Sequence, residues 1–415
     1  MRITIDSHND TLMKIIDPES WAFKNDIGQP TPFHIDLDKM EKGQTNVAFF
    51  AAYTDDLGHP NLSNSYLFSM MAALEETVAL NSDRFTKVKT LPELQLAIAS
   101  GKRVAIQSVE GGYGLYDVNA RALLEQYRDI GVRMLTLVWD YSNALGEGTL
   151  KQHKSGDETS GGLTPLGKKA VRWMEELGII VDVSHMDEET FWSTVEVARK
   201  PLVASHSGAH AILPHVRNLK DDQILAVAKS GGVVSVVFCR YFIGDETAGV
   251  ETLLDHIEHV IKVAGVDYVG LGSDFDGATM PVDLPDMAHM QLVAEGLAHR
   301  GYSTESIDKI MGGNMLRILE ATMKSEDGLS SDHSIDFDAV TLSMAVEAIN
   351  AHKNPVGWVN GIEVPCQYNA ETKKIIYSGE WIPDQRFFIV TMAYENMEGL
   401  IIRQTTIVKH PTTSA

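Results

Sequence analysis

The stretch Ile3-Thr-Ile-Asp-Ser-His-Asn-Asp10 begins with residues typical of a short strand and ends in side chains that can bind a metal ion. His8 and Asp10 are two residues apart, and on an extended backbone such side chains point to the same face. An imidazole and a carboxylate are two of the ligands that zinc prefers in proteins. The same residues are also typical of a loop histidine beside a helix-capping aspartate, so this stretch alone leaves both interpretations open.

Strand-like and helix-like segments alternate along the rest of the chain. Most of the strand-like segments are continuous apolar runs, as expected of parallel strands that are covered on both faces. The predicted strands are Arg2–Asp6, Asn46–Tyr53, Val104–Val109, Arg133–Val138, Ile179–Ser184, Leu202–Ser205, Val233–Phe238 and Tyr268–Gly272.

Amphipathic segments lie between these strands, and some have recognisable ends. Thr164-Pro165 is typical of an N-cap followed by proline at the first helical position, and Gly178 stands where a C-terminal cap is expected. Strands joined in this way by helices favour a closed (β/α)8 TIM barrel, with a doubly wound open sheet as the alternative. The predicted helices include Asn64–Leu80, Asn119–Ile130, Thr164–Leu177, Asp187–Ala198, Asp221–Lys229 and Thr252–Ala264.

Carboxylate or imidazole side chains follow most of the predicted strands. In a TIM barrel these positions converge on the C-terminal mouth, where active sites are built. One histidine after a strand is more often a hydrogen-bonded loop residue, but chance does not readily explain a whole set. The set consists of His8 and Asp10 after the first strand, Glu110 after the third, His185 after the fifth, His206 after the sixth and Asp274 after the eighth.

These side chains predict a metal-dependent hydrolase. Imidazole and carboxylate ligands suit zinc, and cobalt or manganese can take the same geometry. Five ligands are more than one catalytic zinc usually takes. Two metals bridged by a carboxylate would use them all, and a water held between the metals would become a nucleophile near neutral pH. Glu110 is the predicted bridge, because Gly111-Gly112 behind it leave room for a close approach.

Composition indicates which binding partners and which cellular compartment to expect. A net charge of -22 argues against nucleic acid and anionic membranes, which bind clustered Lys and Arg. Cys239 and Cys366 are the only cysteines, which excludes a disulfide scaffold and fits a reducing compartment. The chain shows no leader segment and no apolar run long enough to span a membrane. We therefore expect a cytoplasmic protein.

An ordered set of motifs resembles the membrane (renal) dipeptidase family of zinc peptidases. The resemblance extends from about residue 3 to about residue 320. Its motifs are Asp6-Ser-His-Asn-Asp10, Val109-Glu-Gly-Gly112, Asp182-Val-Ser-His185, Ala204-Ser-His-Ser207, Val216-Arg-Asn-Leu219, Gly272-Ser-Asp-Phe-Asp-Gly277 and Gly312-Gly-Asn-Met-Leu-Arg317.

The resemblance implies a TIM barrel of the metal-dependent hydrolase type with two Zn2+ ions per chain. It assigns His8 and Asp10 to one zinc, His185 and His206 to the other, and Glu110 to both. Members of that family cleave dipeptides, so a small dipeptide-like substrate is implied. Many members pair as dimers, so a homodimer is also expected.

The resemblance also implies roles at the substrate. Arg217 would bind the substrate carboxylate, for which a guanidinium fork is geometrically suited. Asp274 would be the proton-transfer group, because it follows its strand directly. Asp276 is more typical of a turn residue that hydrogen-bonds the backbone.

The sequence departs from the family pattern around the substrate. Trp139 stands where the mammalian enzymes have a histidine that contacts the substrate, and an indole cannot accept a proton. Cys239 stands where a tyrosine is common, and Tyr113 stands where many relatives have histidine. We place Trp139 and Cys239 in the wall of the substrate pocket. The alternative function is therefore a related zinc amidohydrolase that acts on another amide, a lactam or an ester.

Two further interpretations complete the prediction. The other histidines, His34, His59, His153, His210 and His215, are expected in loops or at the surface, and 156–162 is expected to be a mobile loop. A third function, a binding protein without catalysis, is disfavoured by the full set of ligands together with Asp274 and Arg217.

The last part of the chain is predicted to be separate from the barrel. The barrel domain is assigned to residues 1–325 and a small α+β, β-rich C-terminal appendage to residues 333–415, joined by the polar segment Lys324–Asp332. Within the appendage we predict one helix, Phe337–Asn350, and strands at Gly361–Val364, Lys374–Tyr377, Phe387–Ala393 and Leu400–Val408.

Overall fold

The fold was analysed in a computed structural model. It describes residues 2–55, 57, 60–153, 161–323, 335–338, 341–345, 355–360, 362–378, 387–395 and 401–409.

Eight parallel strands close into a barrel, which confirms the predicted TIM-barrel fold and excludes the doubly wound open sheet. The order around the barrel is β1, β9, β8, β7, β6, β5, β4, β2, and β2 pairs with both β1 and β4. The barrel strands are β1 (Ile5–Asn9), β2 (Val47–Tyr53), β4 (Arg103–Glu110), β5 (Val132–Thr136), β6 (Ile180–Asp182), β7 (Val203–Ser207), β8 (Val233–Val237) and β9 (Val269–Gly272).

A short strand outside the barrel was missed by the sequence prediction. This strand, β3 (Phe85–Lys87), pairs in parallel with the beginning of β4. Three residues are too few to show a periodic pattern.

Helices surround the barrel and agree with the predicted segments to within a few residues at most ends. Those of the barrel are α1 (Leu12–Ile15), α2 (Leu37–Lys42), α3 (Pro60–Leu80), α4 (Leu91–Ser100), α5 (Ala120–Ile130), α6 (Pro165–Leu177), α7 (Glu188–Val197), α8 (Asp221–Lys229), α9 (Arg240–Ile243), α10 (Val250–Ala264), α11 (Gln291–His299), α12 (Thr304–Asp308) and α13 (Asn314–Thr322).

The predicted ends of α6 are confirmed. The Thr164 side chain accepts a hydrogen bond from the Gly167 amide, Pro165 is the first helical residue, and Gly178 adopts a left-handed conformation with φ 72°. These caps satisfy backbone groups that the helix itself leaves without partners.

Strand β1 runs further than predicted, because its polar residues are satisfied inside the barrel. The strand ends at Asn9 rather than at Asp6. The buried Asp6 carboxylate accepts hydrogen bonds from the Ser273 amide at 2.7 Å and from Ser273 Oγ at 2.8 Å. Asn9 Nδ2 donates to the Phe49 carbonyl at 2.8 Å. A prediction based on apolar residues alone ends the strand too early, because it does not include these buried polar residues.

The C-terminal region consists of two antiparallel sheets, which confirms a β-rich appendage. One sheet has the order β10-β11-β15-β14 and the other β13-β12-β16-β17. Strands β16 and β17 pack against α3 and α5 of the barrel. The strands are β10 (Ile335–Asp338), β11 (Thr341–Ala345), β12 (Val356–Val359), β13 (Ile362–Pro365), β14 (Gln367–Asn369), β15 (Lys374–Ser378), β16 (Phe387–Glu395) and β17 (Ile401–Lys409).

The helix predicted over Phe337–Asn350 is wrong where the structure describes it. Strands β10 and β11 pair there in antiparallel register, with Ile335 opposite Met344 and Phe337 opposite Leu342. Apolar and polar residues alternate in Ile335–Asp338, and this period of two is typical of strands. The linker Lys324–Asp332 lies outside the described residues, and the domain boundaries at 325 and 333 stay predictions.

Candidate active site

The predicted site residues meet at the C-terminal mouth of the barrel. All of these side chains are buried except that of Asp274, which is half-buried. His8 lies in β1 and Asp10 directly follows it, Glu110 ends β4, His185 follows β6, His206 lies in β7 and Asp274 follows β9.

The Glu110 carboxylate stands between two groups of ligands. Its Oε1 lies 2.9 Å from Nε2 of His185 and 3.4 Å from Nε2 of His206. Its Oε2 lies 3.5 Å from Nε2 of His8. Each oxygen of one carboxylate therefore faces a different part of the site.

The imidazoles of His185 and His206 both present a lone pair to the site. His185 Nδ1 donates to Asp140 Oδ1 at 2.9 Å. His206 Nδ1 donates to Ser205 Oγ at 2.7 Å, because that hydroxyl gives its own proton to Asp182 Oδ2 at 2.5 Å. Both Nε2 atoms are consequently acceptors, yet they lie 2.9 Å apart. Two lone pairs this close repel each other unless a cation lies between them.

His8 and Asp10 also carry buried polar atoms at the site. His8 Nε2 lies 3.4 Å from Asp10 Oδ2. Within the described part of the chain, His8 Nε2 and Asp10 Oδ1 are buried without a hydrogen-bond partner. Burial lowers the pKa of His8, but the Glu110 and Asp10 carboxylates outweigh it and raise this pKa well above its ordinary value. The site favours positive charge, and its imidazole and carboxylate donors fit a divalent cation such as zinc.

Asp274 lies beside this cluster. Burial, and then the charge of Asp10, raise the pKa of Asp274 well above its ordinary value. A Cβ at Gly277 would lie 2.1 Å from Asp10 Oδ2 and 2.7 Å from Asp274 Oδ1, so only glycine lets the turn approach both carboxylates. Oxygens of Asp274, Asp10 and a nitrogen of His8 form one of the groups that could hold a cation.

Asp276 is a turn residue, as predicted, and it connects the site to His34. Its carboxylate accepts hydrogen bonds from Thr11 Oγ1 and from the His34 amide, both at 2.8 Å. In return the Asp276 amide donates to His34 Nδ1 at 2.9 Å. His34 lies in a loop, as predicted, and it also lines the cavity over the site.

Among the described residues, none of His34, His153, His210 and His215 belongs to a group that could hold a metal ion. His59 and residues 156–160 of the predicted mobile loop lie outside the described residues.

A cavity of about 850 Å³ opens above the cluster. Arg217, Trp139 and Cys239, which the sequence placed near the substrate, all line it. Tyr113 is not among its lining residues; it is buried, and its hydroxyl donates to the Tyr141 carbonyl at 2.5 Å. Tyr113 therefore packs against the neighbouring loop and does not line the cavity.

Arg217 is buried at the cavity wall with donor capacity to spare. Its Nη2 donates to the His206 carbonyl at 3.2 Å, and its guanidinium lies 5.6 Å from the centre of the Phe242 ring. Within the described residues, Nε is buried and has no hydrogen-bond partner. A buried guanidinium with an unused donor suits an anionic ligand group.

Tyr53, Asp140 and His34 border the cavity and were not predicted as site residues. Tyr53 ends β2, so the strand-end rule that located the candidate metal ligands could have found it. Asp140 follows β5 and was passed over in favour of Trp139. His34 reaches the cavity from a loop between α1 and α2, where no pattern in the sequence marks it.

Comparison with known proteins was decisive for the family. The family model described as membrane dipeptidase (peptidase family M19) matches residues 1–332. This chain belongs to the membrane dipeptidase family. The match confirms the resemblance found in the sequence motifs, and it covers the barrel but not the strands β10 to β17.

Relatives within the membrane dipeptidase family span most of the chain. The dipeptidase tcpJ of Claviceps purpurea is 30% identical, covering 78% of this chain and 79% of its own. An uncharacterised dipeptidase of Schizosaccharomyces pombe is 32% identical, covering 77% and 80%. A metallopeptidase structure from Rhodobacter sphaeroides, liganded with a phosphinate mimic of the dipeptide L-Ala-D-Ala, has a TM-score of 0.69 and 28% identity, covering 78% of this chain and all of its own.

Among the described residues, none of the helices combines the length and the apolar character that crossing a bilayer requires.

Proposed function

We propose that this member of the membrane dipeptidase family is a binuclear zinc dipeptidase. The observation that carries the proposal is the position of Glu110, whose two carboxylate oxygens face different ligand groups. His8 and Asp10 would bind one zinc, His185 and His206 the other, and Glu110 both. Zinc ions bound there would supply Lewis acidity that polarises the scissile carbonyl and acidifies the attacking water.

The chain's own residues would then orient the substrate and move protons. Arg217 would bind the free carboxylate of a dipeptide through its guanidinium, whose Nε has no hydrogen-bond partner among the described residues. Asp274 would transfer a proton to the amide nitrogen that leaves, a role that suits a carboxyl group with a raised pKa. Its place beside Asp10 keeps this proton next to the cluster of ligands.

The second candidate is a zinc amidohydrolase for another amide, a lactam or an ester. It is favoured by Trp139 and Cys239 in the cavity wall, because neither side chain reproduces the polar contact made by the family's usual histidine or tyrosine. Burial raises the pKa of the Cys239 thiol to about 11, so Cys239 is a neutral wall residue rather than a nucleophile.

A substrate panel separates these candidates. The purified protein would be assayed with L-L, L-D and glycine-containing dipeptides, and with lactam and ester substrates, each with and without chelator. We expect dipeptide hydrolysis that chelator abolishes and zinc restores. Turnover of only the lactam or ester would favour the second candidate, and a metal-loaded protein without any turnover would indicate a binding protein. The cytoplasmic location and the homodimer stay predictions.

A further inference from the structure

His185 occupies a backbone conformation that its neighbours must stabilise. It follows β6 with φ 67°, in the left-handed region that residues with a side chain rarely adopt. Its imidazole must nevertheless present Nε2 to Glu110 at 2.9 Å. Something outside β6 therefore has to fix both the backbone and the ring.

The loop after β5 makes these contacts from two sides. The Thr149 amide donates to the His185 carbonyl at 3.1 Å, which fixes the backbone. Asp140 Oδ1 accepts from His185 Nδ1 at 2.9 Å, which fixes the ring. Thr149 Oγ1 donates to the same Asp140 Oδ1 at 2.9 Å, and the Leu150 amide donates to the Asp140 carbonyl at 2.9 Å. Asp140, Thr149 and His185 thus form a closed network.

Gly148 allows the loop to close on itself. A Cβ at this position would lie 2.1 Å from the Trp139 carbonyl oxygen and 2.5 Å from the Asp140 carbonyl oxygen. Gly148 also forms a β-bridge with Met186, the residue after His185. The two arms of the loop are therefore held together beside His185, so that Asp140 and Thr149 reach it at once.

We infer that Asp140, held by Thr149, is the positioning residue for His185. The carboxylate fixes the tautomer in which Nε2 carries the lone pair, orients the ring and makes the imidazole a stronger donor to a metal. This inference rests on the proposed metal site, although it does not depend on which substrate is cleaved. His206 has a different arrangement, because Ser205 Oγ, a neutral hydroxyl, stands between its Nδ1 and the Asp182 carboxylate.

The inference predicts that His185 is a stronger electron donor to a metal than His206. The carboxylate of Asp140 acts directly on His185 and is partly exposed to the cavity, with 29% of its side chain accessible. The Asp182 carboxylate is fully buried and is shared among Thr136 Oγ1, Ser205 Oγ and two backbone amides. Asp140 can consequently be changed without opening the barrel core.

The test measures zinc affinity by titrating the zinc-loaded protein with a chromophoric chelator. Asp140→Asn keeps the shape of the side chain but removes its charge, and we expect it to weaken one zinc by about 10- to 100-fold. Thr149→Val should weaken the same zinc less, and Thr149→Ser, which keeps the hydroxyl, should recover most of that loss. Asp222→Asn removes an exposed carboxylate on α8 and is the charge-matched control, with no change expected.

Kinetics and melting curves identify the outcomes that would overturn the inference. If Asp140→Asn raises only KM and leaves both zinc affinities intact, Asp140 contacts the substrate instead. Equal loss of zinc in Asp222→Asn, or a wild-type protein that binds no zinc, would also reject it. Melting curves of the chelator-treated proteins show whether the fold survives each change. A wild type that binds zinc but cleaves no dipeptide would refute the proposed function and leave the inference to be decided by the titration.

Discussion

Nε2 of His185 and Nε2 of His206 lie 2.9 Å apart, although the Nδ1 atom of each ring already donates to an acceptor. Each Nε2 therefore carries a lone pair, and Glu110 Oε1 adds a third acceptor at 2.9 and 3.4 Å. Such a group of acceptors is electrostatically unfavourable without a cation. Asp140 and Ser205 hold the two imidazole rings in this arrangement.

Replacement of Glu110 tests the bridge. In Glu110→Ala both groups of ligands lose an oxygen at once, so we expect less than two equivalents of zinc per chain and no measurable turnover. Metal analysis after gel filtration gives the stoichiometry. Glu176→Ala, which removes an exposed glutamate of α6, is the control. Retention of two equivalents of zinc per chain would show that Glu110 is not a metal ligand.

Replacement of Asp274 separates proton transfer from metal binding. Asp274→Asn should keep zinc and the fold but lower kcat by roughly 10² to 10⁴, the usual contribution of a proton-transfer group. Asp276→Asn is the matched comparison, because that carboxylate binds Thr11 and His34, and we expect its effect mainly in the melting temperature. A near-normal kcat in Asp274→Asn would show that Asp274 is a turn residue without a role in proton transfer.

Arg217 can be tested by changing enzyme and substrate together. Arg217→Lys should raise KM strongly, because an ammonium cannot reproduce a bidentate guanidinium contact. Amidation of the substrate's C-terminus should impair the wild type much more than the variant, in which that contact is already lost. If the wild type hydrolyses amidated and free dipeptides equally well, Arg217 does not bind the carboxylate and the amidohydrolase candidate gains support.

His256 should make the fold sensitive to acid. It is fully buried, its Nδ1 accepts from the Ala209 amide at 2.9 Å, and its Nε2 donates to the Ile243 carbonyl at 3.0 Å. Burial lowers the pKa of His256 from 6.5 to about 4. A pKa lower in the folded than in the unfolded chain gives stability that is complete above about pH 6.5 and declines as the pH falls towards 4.

The measurement is the melting temperature of wild type and His256→Gln across this pH range. Chelator is present throughout, so that loss of zinc in acid does not contribute. We expect the variant to be less stable at pH 7 and the difference to shrink towards pH 4.5. A difference that stays constant with pH would show that His256 does not titrate in this range.

The barrel and the clustering of the candidate metal ligands could be predicted because their signals are local. A buried parallel strand is a continuous apolar run, and its C-terminal end is marked by the first functional side chain, as at Glu110 and His206. Caps are equally local, and Thr164 and Gly178 were placed correctly. Strand β1 was ended too early because the partner that satisfies Asp6 is Ser273, which comes 267 positions later in the sequence.

The supporting residues could not be predicted, because their roles arise from loops that return to the site. Asp140 and His185 are 45 positions apart in the sequence, and His34 and Asp276 are 242 positions apart. Neither pair has a spacing that a pattern could detect. The C-terminal helix was wrong for a different reason: the alternation in Ile335–Asp338 covers too few residues to outweigh the longer apolar stretch that follows.

The pairing of β1 with β9 has a consequence for how activity appears during folding. Asp6 and Ser273 are 267 positions apart, and the adjoining His8 carbonyl accepts from the Asp274 amide at 3.0 Å. Contacts between such distant positions form late, because a long loop must close first. A nascent chain that stops before β9 cannot complete the site, however much of the barrel has formed. During refolding, zinc-dependent turnover should therefore recover later than the helical circular dichroism signal. The delay would report when β1 pairs with β9.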